Sequence, residues 1–235
     1  MIVSFNPQQA AFQQQWTDVD NYLKKKLLHK VPHLEQTIEY NASQGLPAID
    51  VSPLQGQFLM MMAQISGAKR ILEIGTLGGY SSQCMAKVLP DDGLLITLEK
   101  EPNIAEVALH NIERAGLAHK VKIIVGDAGK TLPTLSTEPP FDLIFIDADK
   151  SSSSLYLDWA IKLGHPGSII IVDNMIREGM ILHEQRDEAT EGVRQALESM
   201  LNRPEVTVTA LQTVGEKGWD GFVLLRINTD REFTQ

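Results

Sequence analysis

The sequence predicts an α/β fold built on a doubly wound, seven-stranded sheet that is mostly parallel with an antiparallel last strand. Two observations predict it. From residue 70 onward, short apolar runs alternate with amphipathic stretches, which is the pattern of βαβ units. The first five runs are continuously apolar rather than alternating, as expected of parallel strands buried on both faces.

The elements follow in chain order. Strands are predicted at 71–74, 94–98, 121–125, 143–146 and 169–172. Two further runs at 206–211 and 221–227 are expected to pair antiparallel and close the sheet. Helices are predicted at 81–89, 104–115, 155–163 and 188–201, and Pro102 marks the start of the second. The arrangement is Rossmann-like.

The first 70 residues have a different character. The glutamine-rich segment PQQAAFQQQ at 7–15 is low in complexity, which predicts a mobile arm rather than a folded element. Helices are expected from Thr17, at 34–40, and at 53–65 with Ser52 as N-cap. We expect a single domain over residues 1–235, in which residues 1–67 form a helical extension that acts as a lid or an interface.

Composition and net charge limit the kinds of molecule that the protein is expected to bind. The chain has 235 residues, of which 43% are hydrophobic, so it is long enough for one large core. A net charge of −9 disfavours binding to nucleic acid or to an anionic membrane, because both need a basic face. No apolar run approaches the roughly 20 residues of a membrane helix. Cys84 is the single cysteine, and the first residues lack a signal-peptide pattern, so we expect a cytoplasmic protein that acts on small molecules.

A glycine-rich turn, EIGTLGGYS at 73–81, follows the first strand. Glycines let the backbone approach a ligand closely, but this spacing departs from GxGxxG and Glu73 would repel a pyrophosphate. A cationic ligand fits better. Glu99 ends the second strand, where doubly wound folds hold ribose hydroxyls. The alternative is that Glu99 and Lys100 are a solvated strand end.

The third strand ends in GDA at 126–128, which fits the rim of an adenine site. For Asp127 alone, a helix N-cap explains the residue equally well.

Oxygen-bearing side chains follow two neighbouring strands, in LIFIDADKSSSS at 143–154 and IIIVDN at 169–174. Asp147, Asp173 and Asn174 fall at the carboxyl ends of these strands, where open α/β sheets bind ligands. An all-oxygen set suits a hard divalent cation, magnesium first, with calcium or manganese as alternatives. The histidines show no HExxH spacing, so zinc is not expected. Helix capping and a turn at Asp173 are the structural alternatives.

Lys150 follows the first acidic pair. Beside a dication and partly shielded from water, a lysine should lose its proton more readily. Lys150 is therefore a candidate base, and a solvated loop lysine is the alternative.

The combined motifs resemble the class I, S-adenosylmethionine-dependent O-methyltransferases of the catechol and caffeoyl-coenzyme A type, in particular their bacterial members. The similarity runs from about Gly45 through GLPAIDVSPLQGQFL, AKRILEIGTLGGYS, FDLIFIDADK and IIIVDN to KGWDGFVLLRI. It departs at LGG, 77–79, which stands where the family more often has an aromatic residue, Thr and Gly. The loop at 177–192 and the segment before Gly45 also match poorly.

The resemblance implies roles for individual residues. The methionine end of the cofactor would be bordered by Val51, Glu73, Gly75, Thr76 and Ser81. Glu99 would hold the ribose, and Ala128 and Asp149 would lie near the adenine. The implied metal ligands are Asp147, Asp173 and Asn174, and Lys150 matches the lysine proposed as base.

The predicted function is metal-assisted methyl transfer from S-adenosylmethionine to a hydroxyl of a diol-like aromatic small molecule. Two alternatives stay open: a nicotinamide-dependent oxidoreductase and a noncatalytic cofactor-binding dimer. The resemblance also implies a homodimer, to which apolar residues of 17–67 such as Tyr22 and the run Met60 to Met62 could contribute. The substrate itself is left open, because the loops that shape its pocket match least.

Overall fold

The structure is a computed structural model that describes residues 7–184 and 187–229. The first six residues, on which the prediction of no signal peptide depends, and two residues of the 177–192 loop lie outside this range. The strands are β1 Arg70–Ile74, β2 Leu94–Glu99, β3 Val121–Val125, β4 Phe141–Ile146, β5 Gly164–Val172, β6 Val206–Gly215 and β7 Gly218–Ile227. The α-helices are α1 Pro7–Leu27, α2 Pro32–Ser43, α3 Pro53–Ile65, α4 Tyr80–Ala86, α5 Pro102–Arg114, α6 Ala128–Thr131, α7 Ser153–Leu163 and α8 Glu188–Met200.

The strands form one sheet in the order β3-β2-β1-β4-β5-β7-β6. Strands β1 to β5 are parallel, and β7 runs antiparallel to both β5 and β6. The predicted fold class and the antiparallel closure are therefore confirmed. The chain winds outward from β1 in one direction and from β4 in the other, so the loops after β1 and β4 diverge and leave a crevice at the carboxyl edge.

Two apolar cores cover the two faces of the sheet. Along β4, Ile144 and Ile146 belong to one core, whereas Leu143 and Phe145 belong to the other. Successive side chains of a strand point to opposite faces, so a strand covered by helices on both sides must be apolar at every position. This is the physical reason for the continuous apolar runs.

Strand β3 is an exception to the prediction that the first five strands are buried on both faces. It lies at the edge of the sheet, Lys122 is exposed, and Val125 is 48% exposed. An edge strand has a neighbour on one side only, so its residues pack less completely.

The prediction of a mobile arm at 7–15 is wrong, and so is a helix start at Thr17. Helix α1 covers Pro7–Leu27, and Thr17 lies inside it with its hydroxyl donating to the carbonyl of Gln13 at 2.9 Å. Contacts with the turn between β6 and β7 hold the helix. Gln13 donates to the carbonyl of Gly215 at 3.0 Å, and Asp20 accepts from the backbone N–H of Glu216 at 2.8 Å. A polar helix of low intrinsic stability is thus held by tertiary contacts.

The other predicted helices are present, with ends within three residues of the predicted ones. Ser52 caps α3 as expected, since its hydroxyl accepts from the backbone N–H of Gln55 at 3.2 Å. None of the helices in the described part of the chain is both long and apolar enough to cross a membrane.

Candidate active site

A cavity of about 980 Å³ occupies the crevice at the carboxyl edge of the sheet. It is bordered by the segments that follow β1, β2, β3, β4 and β5, together with residues 48–51 and the start of α3. All but one of the predicted site residues line it, namely Val51, Gly75, Thr76, Ser81, Glu99, Ala128, Asp147, Asp149, Lys150, Asp173 and Asn174. The sheet topology therefore brings together residues that lie as far apart in sequence as Val51 and Asn174.

The glycine turn passes very close to the loop after β4. Gly75 has a φ of +98°, and a Cβ built there would lie 2.1 Å from the carbonyl oxygen of Asp147. The positive φ and the short distance to the carbonyl oxygen both exclude a side chain at residue 75. Gly75 thus lets the β1 and β4 loops meet at the floor of the cavity.

Glu99 presents a fixed carboxylate at the end of β2. One oxygen accepts from the backbone N–H of Leu77 and the other from that of Glu101, both at 3.0 Å. Glu99 is only 9% exposed, whereas Lys100 is exposed, so the alternative of a solvated strand end is wrong for Glu99. A carboxylate held in this way can accept hydrogen bonds from ligand hydroxyls.

The adenine side of the predicted pocket lies after β3 and β4. Asp127 caps α6, with its side chain accepting from the backbone N–H of Lys130 at 3.2 Å, so the capping alternative is confirmed while Asp127 still borders the cavity. Burial raises the pKa of Asp149, but hydrogen bonds from Ser152 and Tyr156 outweigh it and hold that pKa below its usual value. Asp149 is therefore available as a charged acceptor.

Glu73 is the predicted site residue that does not line the cavity. It is fully buried behind Ser81, and both Ser81 and Ser82 donate hydroxyl hydrogen bonds to its carboxylate. Burial raises the pKa of Glu73 to about 7, although the serine hydrogen bonds oppose the shift. Glu73 can therefore act on a ligand only through Ser81.

Asp147 and Asp173 lie side by side, because Ile146 of β4 pairs with Val172 of β5 in parallel register. Asp173 is 5% exposed. Its two oxygens accept from the side-chain amide of Gln55 at 2.6 Å and from the backbone N–H of Asn174 at 2.9 Å. Burial first, and then the negative charge of Asp147, raise the pKa of Asp173 to about 7. The two neighbouring carboxylates of Asp147 and Asp173 therefore need positive charge nearby.

Lys150 supplies the ammonium nearest to the pair. Its Nζ donates to Asp147 Oδ1 at 2.9 Å, and only 12% of the lysine side chain is exposed. The alternative of a solvated loop lysine is therefore wrong. Asp149, before the 3₁₀ turn Lys150–Ser152, makes no side-chain capping hydrogen bond, and the hydroxyl of Ser151, the other capping candidate, donates to Asp149 Oδ2 at 3.3 Å. Helix capping thus does not explain the acids of this loop.

The donor set fits a hard divalent cation. Two carboxylates and the Asn174 amide line the same cavity, all are oxygen donors, and Lys150 offsets only one of the two carboxylate charges. Among residues 7–184 and 187–229, no group of three or more His, Cys, Asp or Glu side chains could hold a metal. The predicted set has only two carboxylates, and an amide oxygen is its third donor.

Gln55 and Asp50 are among the cavity residues that sequence reasoning missed. Gln55 stands three positions after Ser52, which is the spacing of a capping box, but its side chain reaches Asp173 instead. Asp50 lines the cavity beside Val51 and accepts from the side-chain amide of Asn41 at 3.0 Å. Burial raises the pKa of Asp50 above its usual value. Its only sequence signal was its position next to Val51.

The fold and the cavity together define a class: an α/β protein with a ligand site suited to a nucleoside at the carboxyl edge of its sheet. Comparison with known proteins identifies the family. The family model described as O-methyltransferase matches residues 25–227. The catechol O-methyltransferase of Mycobacterium tuberculosis (strain ATCC 25618 / H37Rv) is 46% identical over 207 residues, which cover 88% of this chain and 94% of that protein.

Solved structures agree. The protein in a crystal structure from Klebsiella pneumoniae is 50% identical in sequence to this chain. The two structures superpose with a TM-score of 0.91, and the match covers 93% of this chain and 100% of that one. An O-methyltransferase from Bacillus cereus in complex with S-adenosylhomocysteine is 45% identical with a TM-score of 0.90, covering 92% and 100%. The chain belongs to the O-methyltransferase family. The predicted resemblance and the predicted enzyme class, an S-adenosylmethionine-dependent O-methyltransferase, are confirmed, and the oxidoreductase and noncatalytic alternatives are set aside.

Proposed function

We propose that the protein transfers the methyl group of S-adenosylmethionine to one hydroxyl of a vicinal dihydroxyaromatic molecule, with help from a divalent cation. One observation carries the proposal. A single cavity holds the anchored Glu99 carboxylate and the glycine turn on one side and the Asp147, Asp173 and Lys150 cluster on the other. A sulfonium methyl and an acceptor hydroxyl can meet between them.

The cofactor side is assigned by chemistry. Glu99 accepts the ribose hydroxyls, since both of its oxygens are fixed by backbone amides. Val51, Gly75, Thr76 and Ser81 border the methionine part, and Glu73 supports Ser81 from behind. Ala128 and Asp149 border the adenine. The Bacillus cereus relative in complex with S-adenosylhomocysteine supports this choice of cofactor.

Asp147, Asp173 and Asn174 would hold the cation, with magnesium preferred over calcium and manganese. When bound, a divalent cation makes a coordinated hydroxyl more acidic. In its neutral amine form, Lys150 would accept the hydroxyl proton at Nζ, the atom that contacts Asp147 Oδ1 at 2.9 Å. The side-chain amide of Gln55 keeps Asp173 in place by a hydrogen bond.

Methyl transfer from a sulfonium to an oxyanion removes charge from both reactants. A dry and aligned site therefore accelerates it mainly by fixing the two reactants in line. The apolar strand ends behind the cavity, such as Ile74 and Leu98, exclude water from below. This assigns the protein a positioning role more than an acid–base one.

The vicinal diol is supported by the catechol O-methyltransferase named among the relatives. The test is a methylation assay with labelled S-adenosylmethionine, magnesium chloride and a panel of hydroxyaromatics in which each vicinal diol is matched to its monohydroxy analogue. We expect methylation of the diols only, and its loss in a chelator with recovery on adding magnesium. Equal activity with monohydroxy analogues contradicts the diol assignment, and full activity in the chelator contradicts the metal assignment.

We also propose a homodimer built on β6. This strand lies at the edge of the sheet, and Val208, Leu211 and Val214 are 41%, 51% and 52% exposed. Nearby α1 exposes 62% of Tyr22. An uncovered apolar edge strand favours association. Gel filtration with light scattering should give a dimer that Leu211→Asp converts to a monomer, and a monomeric wild type contradicts the proposal.

A further inference from the structure

A buried amide on α2 connects the two sides of the active-site cavity. Asn41 is 2% exposed. Its Nδ2 donates to Asp50 Oδ1 at 3.0 Å, and its Oδ1 accepts from Asn111 Nδ2 at 2.8 Å. Asn111 of α5 also donates to the carbonyl of Gly78 at 3.0 Å. One chain of hydrogen bonds therefore runs from Asp50 through α2 and α5 to the glycine turn.

Asn41 also fixes the identity of residue 78. A Cβ built on Gly78 would lie 2.0 Å from both the Oδ1 and the Nδ2 of Asn41. Gly78 does not have a positive φ, so its backbone conformation would accept alanine. The side chain of Asn41, and not the backbone, is what excludes a larger residue here. This gives a physical reason for the departure of LGG from the commoner family pattern.

The other two glycines of the turn have different requirements. Gly79 has a φ of +79°, and a Cβ there would meet nothing closer than 3.4 Å. Gly75 combines a positive φ with a backbone contact of 2.1 Å. Among these three glycines, only Gly78 is restricted by a side chain that a substitution can remove, that of Asn41. Gly79 is a matched control because its restriction lies in its backbone conformation.

The two segments that Asn41 connects both line the cavity. Thr76 and Leu77 of the turn border its cofactor side, and the N–H of Leu77 holds Glu99. Ile49, Asp50 and Val51 line the same cavity and lead into α3, whose Gln55 contacts Asp173 of the proposed cation site. Asn41 does not itself border this cavity. It can influence both ligands only through the segments that it holds.

We propose that Asn41 is a positioning residue that couples the binding of cofactor and acceptor by holding the glycine turn and the 48–51 segment in one arrangement. The identity of the two ligands rests on the proposed function. Coupling between two binding sites is reciprocal. A ligand that orders one segment therefore favours the ligand at the other, as long as the amide joins them.

The first experiment asks whether removing the Asn41 side chain rescues an alanine at residue 78. Four variants are compared: Gly78→Ala, Gly79→Ala, and each of these combined with Asn41→Ala. The melting temperature and the affinity for S-adenosylhomocysteine are measured for each. We expect Gly78→Ala to lower the melting temperature and to weaken S-adenosylhomocysteine binding by roughly tenfold, the effect of about one lost buried hydrogen bond. Asn41→Ala should restore part of the loss in melting temperature in Gly78→Ala and none in Gly79→Ala, whereas S-adenosylhomocysteine binding should stay weakened because the hydrogen bonds of Asn41 are also lost. Failure of the rescue, or equal rescue of both, overturns the proposal.

The second experiment measures coupling directly. In the wild type, S-adenosylhomocysteine affinity should rise several-fold when catechol and magnesium chloride are added. Asn41→Leu, which fills similar space without hydrogen bonds, should bring that ratio close to one in protein shown to be folded by circular dichroism. A ratio that Asn41→Leu leaves unchanged, or a ratio of one in the wild type, contradicts coupling through Asn41.

The two proposals fail in distinguishable ways. If the wild type does not bind S-adenosylhomocysteine, the proposed function is wrong, but the melting temperatures still decide whether Asn41 restricts residue 78. If the wild type binds and methylates catechol while the Gly78→Ala rescue fails, the role of Asn41 alone is wrong.

Discussion

The two ends of β4 and β5 carry acids in opposite situations. At the amino end, the Oδ2 of Asp142 accepts from the backbone N–H groups of Lys69 and Arg70, both at 2.8 Å, and its Oδ1 contacts His165 Nε2 at 2.9 Å. Burial raises the pKa of Asp142, but these contacts outweigh burial and hold that pKa below its usual value. This carboxylate is fully satisfied by the protein.

At the carboxyl end of the same strands, the two acids accept hydrogen bonds, but two carboxylates lie side by side and one lysine offsets only one of their charges. Asp173 is buried beside Asp147, and its pKa is raised to about 7 by burial and by that neighbouring charge. A protein tolerates such strain where it serves binding or catalysis. The contrast supports the proposal that the carboxyl-end acids serve the ligands, whereas the amino-end acid stabilises the fold.

The largest expected effect tests that contrast directly. Asp147→Ala removes a charged oxygen from the proposed cation site, so turnover should fall by about a thousandfold or more while the protein stays folded. Asp142→Asn should instead reduce the free energy of unfolding by about 1–3 kcal/mol with near-normal turnover at 25 °C. Urea unfolding and labelled methyl transfer measure the two quantities. Reversed effects contradict the division of roles between the two ends.

Lys150→Ala comes next. Loss of the proposed proton acceptor should lower kcat about a hundredfold, with S-adenosylhomocysteine affinity changed only a few-fold because Lys150 contacts Asp147 rather than the cofactor side. Lys162→Ala, on the exposed surface of α7, is the control. Unchanged kcat in Lys150→Ala removes this lysine from the mechanism.

A smaller effect is expected at Gln55. Its amide donates to Asp173 at 2.6 Å, and groups that orient a metal ligand typically affect metal affinity by about tenfold. Gln55→Leu should therefore weaken magnesium binding in calorimetry by about that factor, whereas Gln57→Leu on the same helix should not. Equal affinities for both variants would mean that Asp173 is held without Gln55.

The smallest effect is expected at His165, which contacts Asp142 at the amino end of β4 and β5. The hydrogen bond to Asp142 raises the pKa of His165 above its ordinary value of 6.5. The charged pair therefore contributes its full stability below pH 6.5, and loses it as pH rises through the raised pKa. His165→Gln should cost about 0.5 kcal/mol at pH 5.5, a value discounted for solvent screening, and nothing at pH 9. A difference in unfolding free energy between the wild type and His165→Gln that grows as pH rises contradicts a stabilising charged pair.

The sequence by itself determined the sheet and the positions of its acids. Continuous apolar runs mark strands buried on both faces, and the carboxyl ends of parallel strands share one edge. Asp147 and Asn174 could therefore be placed at one site from strand ends alone. Ser52 was recognised as a cap because a capping interaction spans only three residues.

Only the tertiary structure decided which distant groups meet. Gln55 reaches Asp173 across 118 positions, and Asn41 fits against Gly78 from a different helix. Residues 7–15 were predicted to be a mobile arm from their composition, but they belong to helix α1, whose contacts with the β6–β7 turn involve residues about 200 positions away. Local patterns record backbone preferences over a few residues, whereas these contacts depend on how whole elements pack, which short-range patterns do not encode.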